Sequence, residues 1–427
     1  MMKDDTYCVM PFLSLAVKPD GKVKPCCRYK TWTDNGKREW YDNADINHNI
    51  VGSNAALHSK AFDSVRQDML GGKKILGCEK CYAEEAHGCF KSSGTSMRQW
   101  YNRQYKDHQI GKIQLKYLEV SFGNYCNLSC RTCDSALSTS WYDDEILLSS
   151  KYDIKPNKKI LDIPFNWTSN DFKHVNEIKF VGGEPMLNPN FNKFLQTVID
   201  SNNAKQIKLT IFTNCSWFPK NHIINLLKKF SVVNIWLSID AIGDKNDYIR
   251  NKSNWNTVHH CASKWLDLEK QQIVGVMLTP AVGILNAHIL DDVIKWWIDL
   301  RNMNKLHFQR RNERSLQTEK GDIVFSPVIT PIAFSVLISP LKQEAIEKYK
   351  RYAELVVGED ENAITTRRFW HKAVKILSQK TNINLHDTDF ISLTKDLDKL
   401  RKQDFKITFP ELYAEIKDIY DIVPGKL

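Results

Sequence analysis

The stretch YCNLSCRTCD, residues 125–134, decides the reading of this chain: it spaces Cys126, Cys130 and Cys133 as C-x3-C-x2-C, directly after the apolar run YLEVSFG. Three neighbouring thiolates can hold three irons of a cubane and leave the fourth open. That arrangement lets a cluster bind and reduce a small molecule rather than only carry electrons. A zinc site gives similar local spacing, but a structural zinc takes four protein ligands. The next cysteine after Cys133 is Cys215, and no histidine follows at short range.

A second motif stands downstream. In EIKFVGGEPMLNPNF, Gly182, Gly183, Glu184 and Pro185 follow an apolar, strand-like run. Glycines there permit close backbone approach, and the strand end can present a carbonyl or carboxylate to a ligand amine. On its own GGEP also reads as an ordinary strand-to-helix turn; its place after the cysteine loop argues for more. Around it, IQLKYLEVSF, IKFVG, IKLTIFTN, VNIWLSID, IVGVMLT and KLHFQR read as strands. FNKFLQTVIDSN, HIINLLKKF, WNTVHHCASKWLDLEKQ and HILDDVIKWWIDLRN read as the helices between them. Continuous apolar strands separated by helices predict an α/β fold with a parallel sheet covered by helices. Reacting groups then gather at the strand C-terminal ends, where the cysteine loop and GGEP both fall.

With these motifs the chain resembles the radical S-adenosylmethionine (radical SAM) superfamily over roughly residues 112–310. The resemblance continues through KLTIFTNCS with Asn214, VNIWLSIDAIGDKNDYIR with Ser238, Asp240 and Arg250, and VGVMLTPAVGILN with Thr279 and Asn286. It implies a partial (β/α)6 barrel and a [4Fe-4S] cluster on Cys126, Cys130 and Cys133. The open iron would chelate the methionine amine and carboxylate of S-adenosylmethionine. By the same resemblance GGEP contacts that amine, residues near Ser238 and Asp240 face the ribose, and Arg250 is a candidate for the methionine carboxylate. Read without the resemblance, these later residues are equally strand-end polar groups, and Arg250 a surface charge. The implied chemistry is reductive cleavage of the cofactor, driven by flavodoxin or ferredoxin, to methionine and a 5′-deoxyadenosyl radical that abstracts a substrate hydrogen.

The first hundred residues hold another cysteine group. Cys8 opens CVMPFLSLAVKPDGKVKPCC, in which Pro19, Asp20 and Gly21 predict a hairpin turn that brings Cys8 near Cys26 and Cys27. A helix over AALHSKAFDSVRQDMLGG leads to GCEKCYAEEAHGC, where Cys78 and Cys81 form a C-x2-C bite with Cys89 beyond. A zinc ribbon uses the same donors, and spacing does not separate zinc from iron. The hairpin and the pair resemble the auxiliary-cluster region of SPASM and twitch radical enzymes. That resemblance implies one auxiliary [4Fe-4S] cluster on Cys8, Cys26, Cys78 and Cys81, with Cys27 as an alternative to Cys26 and Cys89 as a spare thiol.

The expected organisation is a twitch-like cysteine-rich region at 1–105, the partial barrel at 112–320 and a mainly helical C-terminal extension at 321–427, in which VFSPVITPIAFSVLISP adds one or two strands, including a closing element beside the barrel. The extension either caps the barrel or covers its side. The 427 residues suffice for one large core and an appendage. No apolar stretch reaches membrane-spanning length and MMKDDTYC lacks a signal segment, so a cytoplasmic location without membrane partners is expected. Eleven cysteines there read as metal ligands or free thiols rather than disulfides.

The net charge of +10, from 60 basic and 50 acidic residues, leaves room for an RNA or acidic peptide substrate, although the lysines are scattered. Arg310, Arg311 and Arg314 read as a solvated face. By resemblance, auxiliary clusters point first to modification of a peptide or protein, with recognition open to a separate chain. A small molecule such as an amino acid, sugar or nucleotide is the alternative substrate, and a noncatalytic iron-sulfur scaffold the alternative role.

Overall fold

Seven of the apolar runs pair into one sheet: β1 (Ser14–Val17), β2 (Val23–Lys24), β3 (Tyr117–Val120), β4 (Glu177–Phe180), β5 (Lys208–Thr213), β6 (Val232–Leu237) and β7 (Gly275–Leu278). The computed structural model describes residues 6–29, 55–86, 96–157, 159, 166–306, 323–324, 326–328, 332–356 and 361–427. Cys89, Arg310, Arg311 and Arg314 lie outside the described residues. The strand order is β2-β1-β3-β4-β5-β6-β7, and every pair is parallel except the PDGKV hairpin β1–β2. Ser14 of β1 sits opposite Tyr117 of β3, so the cysteine-bearing hairpin is built onto the edge of the main sheet.

Past β7 the parallel pairing continues. Leu278 bridges Ile323, and β8 (Ala281–Val282) pairs with β9 (Ser326–Pro327), where the closing strand was expected. Of the expected strand KLHFQR, Lys305 and Leu306 belong to the turn that ends the helix Leu290–Met303, and the rest lies outside the described residues.

Side-chain alternation along the strands sorts the two faces of the sheet. Leu118, Val120, Ile178, Phe180, Leu209, Ile211, Val233 and Ile235 enter the main core under the helices. Glu119, Lys179, Thr210 and Asn234, at the alternate positions, point the other way and are absent from it. The helix Asn190–Asp200 buries Phe191, Phe194, Leu195 and Val198, the i, i+3, i+4, i+7 stripe of an amphipathic helix. Phe194 meets Phe122, Phe172 and Phe180 edge-on at 5.2–5.5 Å, contacts worth about 0.5–1.5 kcal/mol each beyond their area.

The C-terminal extension divides its packing. The helices Lys342–Leu355 and Glu361–Leu377 join the main core, where Tyr349 stacks on Trp370 at 4.7 Å. The helices Phe390–Arg401, Phe405–Thr408 and Pro410–Ile422 instead build a second core with Trp141, Tyr248, Ile284 and Phe334, beside the cysteine loop. Among the described residues, no helix is long and apolar enough to cross a membrane.

Candidate cluster and cofactor site

The loop after β3 has no regular structure of its own, so its backbone must find partners elsewhere. Folding back, the segment Ser138–Trp141 supplies several. Ser140 Oγ donates to Cys126 O at 2.9 Å, Trp141 Nε1 to Cys130 O at 2.7 Å and Ser138 Oγ to Leu128 O at 2.5 Å. The far side is stitched to the end of the helix Gly243–Ile249: Arg131 N–H donates to Ile249 O at 2.7 Å and Ser129 N–H to Asn251 O at 3.0 Å. Each such bond contributes about 1 kcal/mol, and together they fix the loop in one path.

That path brings the three thiols to one cavity of about 370 Å3 at the C-terminal ends of the strands. Cys126, Cys130 and Cys133 line it together with Gly182, Gly183, Asn214, Ser238, Arg250 and Thr279. Glu184, Pro185, Asp240 and Asn286 are buried but do not line it. Among the described lining residues Arg250 is the one charged side chain, and no fourth cysteine, histidine or carboxylate faces the triad. A donor set of three thiols with no fourth ligand fits a cubane with one exposed iron.

The supporting residues explain the local geometry. Gly182 and Gly183 have φ of +75° and +56°, in the left-handed region. A Cβ at Gly183 would lie 2.3 Å from the Tyr125 carbonyl oxygen, so only glycine lets GGEP reach the cysteine loop this closely. Glu184 N–H then donates to that same oxygen at 2.8 Å. Glu184 Oε2 accepts from Asn214 N–H at 2.7 Å, whereas Oε1 is buried without a partner among the described residues. Burial pushes this carboxyl up to about 7, against the hydrogen bonds from Asn214 and Thr213 and the nearby Arg250. Asn214 Nδ2 also donates to Cys126 Sγ at 3.8 Å.

Asp240 is fully buried, and both of its oxygens are engaged. Oδ2 pairs with Arg250 Nη1 at 2.7 Å and Oδ1 accepts from Ala281 N–H at 2.7 Å. Burial opposes the charge on Arg250, but Asp240 and the Cys130 thiol outweigh it, so the guanidinium stays protonated. Asn286 is a buckle rather than a wall: its Nδ2 donates to Asp240 O at 2.8 Å and to Ala281 O at 3.0 Å. Thr279 Oγ1 meets Ser326 Oγ at 3.2 Å, and Ser326 itself lines the cavity. Sequence reasoning named neither Ser326 nor the lining Phe212; both sit on strands at positions whose facing is set by sheet register.

The N-terminal cysteines gather at the other end of β1. Cys8, Cys26 and Cys78 share a small core with Tyr29, Met69, Ile75, Tyr101 and Tyr117. Cys78 closes a 3-10 turn and Cys81 follows in the helix Glu79–Ala86, one turn on, which puts the C-x2-C pair on one face. Burial, and then Cys81 nearby, push the Cys8 thiol up to about 12. Cys26 is raised by burial and by its neighbours Cys27, Cys8, Cys78 and Cys81. Cys27 is raised by burial and by Glu119, with Lys179, Lys24 and Arg28 acting oppositely. Cys26 therefore turns toward the other three thiols, and Cys27 toward the charged face of the sheet. Among the described residues no three His, Cys, Asp or Glu side chains converge as a single-ion site requires, at either cysteine set. A cubane takes one thiolate on each iron instead of converging them on one ion.

Comparison with known proteins agrees with the barrel motifs. Residues 120–279 match the family model described as the Radical SAM superfamily. A GTP 3′,8-cyclase of Sulfurovum sp. (strain NBC37-1) is 27% identical over 209 residues, covering 48% of this chain and 58% of that protein. A second GTP 3′,8-cyclase, of Campylobacter curvus (strain 525.92), is 28% identical over 146 residues, covering 34% and 41%. The chain thus spans less than two thirds of the length of these curated relatives. Among solved structures, Streptococcus suis SuiB bound to S-adenosylmethionine aligns at a TM-score of 0.32 and 15% identity over 56% of this chain and 44% of that one, a likeness too slight to carry an argument. The matched segment 120–279 runs from the end of β3 to the cavity-lining Thr279, so the radical SAM superfamily model spans the strands that carry the site.

Proposed function

We propose that this protein is a radical SAM enzyme that removes a hydrogen atom from a peptide or protein side chain. The observation that carries the reading is the convergence of Cys126, Cys130, Cys133, Gly183, Asn214 and Arg250 on one cavity without a fourth metal ligand. When bound, the [4Fe-4S] cluster and S-adenosylmethionine supply one-electron cleavage of the sulfonium to a 5′-deoxyadenosyl radical, the electron coming from a flavodoxin or ferredoxin. The chain's own residues do the rest. Cys126, Cys130 and Cys133 hold the cluster, and Asn214 Nδ2–H stabilises the Cys126 sulfur as a thiolate. Gly182 and Gly183 would let the backbone approach the methionine amine, and Arg250, held by Asp240, would meet the carboxylate. Ser238 and Thr279 would face the ribose, while Glu184, Pro185 and Asn286 brace the walls from behind.

Cavity size supports the peptide reading. At about 370 Å3 it lies at the low end of the 300–1,000 Å3 range of small-ligand pockets, which leaves little room beside a bound cofactor. That suits a substrate of which only one side chain enters while the rest of its polymer stays outside. The second reading, a small-molecule substrate, is favoured by the two relatives named GTP 3′,8-cyclase. Cys8, Cys26, Cys78 and Cys81 are the proposed ligands of one auxiliary [4Fe-4S] cluster, on the grouping of their thiols.

The test is anaerobic reconstitution with iron and sulfide, chemical reduction and addition of S-adenosylmethionine. The proposal requires 5′-deoxyadenosine from the wild type and none from Cys126→Ala, Cys130→Ala or Cys133→Ala. Intact cofactor beside a fully loaded wild-type protein would leave the scaffold reading instead.

A further inference from the structure

Arg131 is an arginine between two proposed cluster ligands, yet its side chain is fully buried and leaves the cavity. Its guanidinium lies 3.7 Å from the centre of the Tyr248 ring. Nη2 donates to Asp398 Oδ1 at 2.5 Å and to Gln403 Oε1 at 2.9 Å, and Nε donates to Tyr248 O at 3.3 Å. Tyr248 Oη donates to the same Asp398 oxygen at 2.7 Å, and Asp398 Oδ2 accepts from Phe405 N–H at 2.7 Å. One carboxylate of the C-terminal extension therefore ties together the cysteine loop, the segment that delivers Arg250, and the next helix of the extension.

A second strut runs parallel to the first. Arg401, two residues before Gln403, pairs with Asp144 at 2.9 Å and lies 4.3 Å from the centre of the Trp141 ring, whose indole N–H holds the Cys130 carbonyl. Burying this much charge is expensive, the more so because Nη1 of both Arg131 and Arg401 is buried without a partner among the described residues. A helix that only covered the barrel would do so with apolar residues.

We propose that Asp398 is a positioning residue of the radical site: through Arg131 and Tyr248 it sets the cysteine loop and Arg250 in register, so that cluster and S-adenosylmethionine are held against each other. This rests on the function proposed above. The effect belongs to the class of interactions that orient metal ligands from outside, whose loss typically weakens binding or activity by about 10–100-fold. Coupling arises because residues Tyr248–Asn251 do two tasks. Ile249 O and Asn251 O hold the loop backbone, and the Arg250 side chain between them reaches the cavity.

The experiment uses the full chain, loaded anaerobically, and measures iron per chain, affinity for S-adenosylmethionine and the electron paramagnetic resonance of the reduced cluster with and without the cofactor. Asp398→Asn is expected to retain iron yet bind S-adenosylmethionine about 10-fold more weakly, with an altered cofactor-bound spectrum. Tyr248→Phe, which removes one hydroxyl, should shift both readouts in the same direction by less. Asp398→Glu should recover part of the affinity, and Lys406→Ala, on the exposed side of the same extension, should match the wild type. A purely structural role would lower iron content and unfolding temperature and leave the affinity of the loaded fraction unchanged, which would overturn the proposal. Should Asp398→Asn fail to fold, wild-type affinity and spectrum in Tyr248→Phe would overturn it alone. If wild-type protein loads a cluster but never binds S-adenosylmethionine, the proposed function fails first and takes this inference with it.

Discussion

Replacing Gly183 with alanine puts a methyl group where the structure has none to spare. The added Cβ would stand 2.3 Å from Tyr125 O and 3.0 Å from Tyr125 C, and the backbone at φ +56° is one that L side chains rarely adopt. The left-handed conformation alone costs about 1–2 kcal/mol. The obstacle is backbone, so the Tyr125 carbonyl must move, which loses its hydrogen bond from Glu184 N–H, worth about 1 kcal/mol, and adds overpacking of about 1–3 kcal/mol. The total is about 3–6 kcal/mol, and the displaced residue is the one directly before Cys126.

Gly182→Ala is the internal control. It has similar strain at φ +75°, but its nearest obstacle is a side chain: the Ser121 hydroxyl, which would have to give up its hydrogen bond to Gly123 O, with Ser121 Cβ 3.0 Å from the added methyl. Each variant loses one hydrogen bond, so urea unfolding of the metal-free protein should place Gly183→Ala about 1 kcal/mol or more below Gly182→Ala, the displacement of backbone rather than a side chain being the difference. Iron retention after gel filtration should follow the same order. Equal stabilities, or a less stable Gly182→Ala, would refute the claim that GGEP is packed against the cysteine loop.

Further tests address single groups. Burial raises Glu184 to about 7 against 4.5 unperturbed, so the folded state binds its proton more tightly, and this group's contribution to stability falls as pH rises from about 4.5 through 7. Glu184→Gln should therefore gain on the wild type by on the order of 3 kcal/mol between pH 5 and pH 8 in urea unfolding of metal-free protein; a pH-independent difference would contradict the burial argument. At the N-terminal set, iron analysis should give about eight irons per wild-type chain, about four in Cys26→Ala and near the wild-type value in Cys27→Ala. Loss of iron from Cys27→Ala but not from Cys26→Ala would reverse the assignment made from their neighbours.

Much of the site was legible because its chemistry is local. Three cysteines within eight residues and GGEP at a strand end declare themselves by spacing, and the PDGKV turn declares the hairpin. The parallel seating of β1 against β3 did not show, because pairing between Ser14 and Tyr117 leaves no mark on either run. The resemblance put Asp240 near the ribose, while its carboxylate engages Arg250 and the Ala281 N–H, a matter of rotamer rather than sequence. The link from Arg131 to Asp398 crosses 267 positions and joins two ordinary-looking charged residues. Nothing in their surroundings distinguishes them from solvated surface until the fold buries both. The polar inner face of the sheet was hidden too, since Glu119 and Lys179 interrupt runs that otherwise read as wholly apolar.

The central claim is that the triad leaves one iron open to the sulfonium cofactor, and the most direct measurement is the electron paramagnetic resonance spectrum of the reduced, iron-loaded protein before and after S-adenosylmethionine is added. Binding at that iron should change the g-values of the cluster on Cys126, Cys130 and Cys133, and the change should survive in Cys78→Ala. A spectrum that does not respond to the cofactor, in protein whose triad cluster is fully loaded and reduced, would contradict the account.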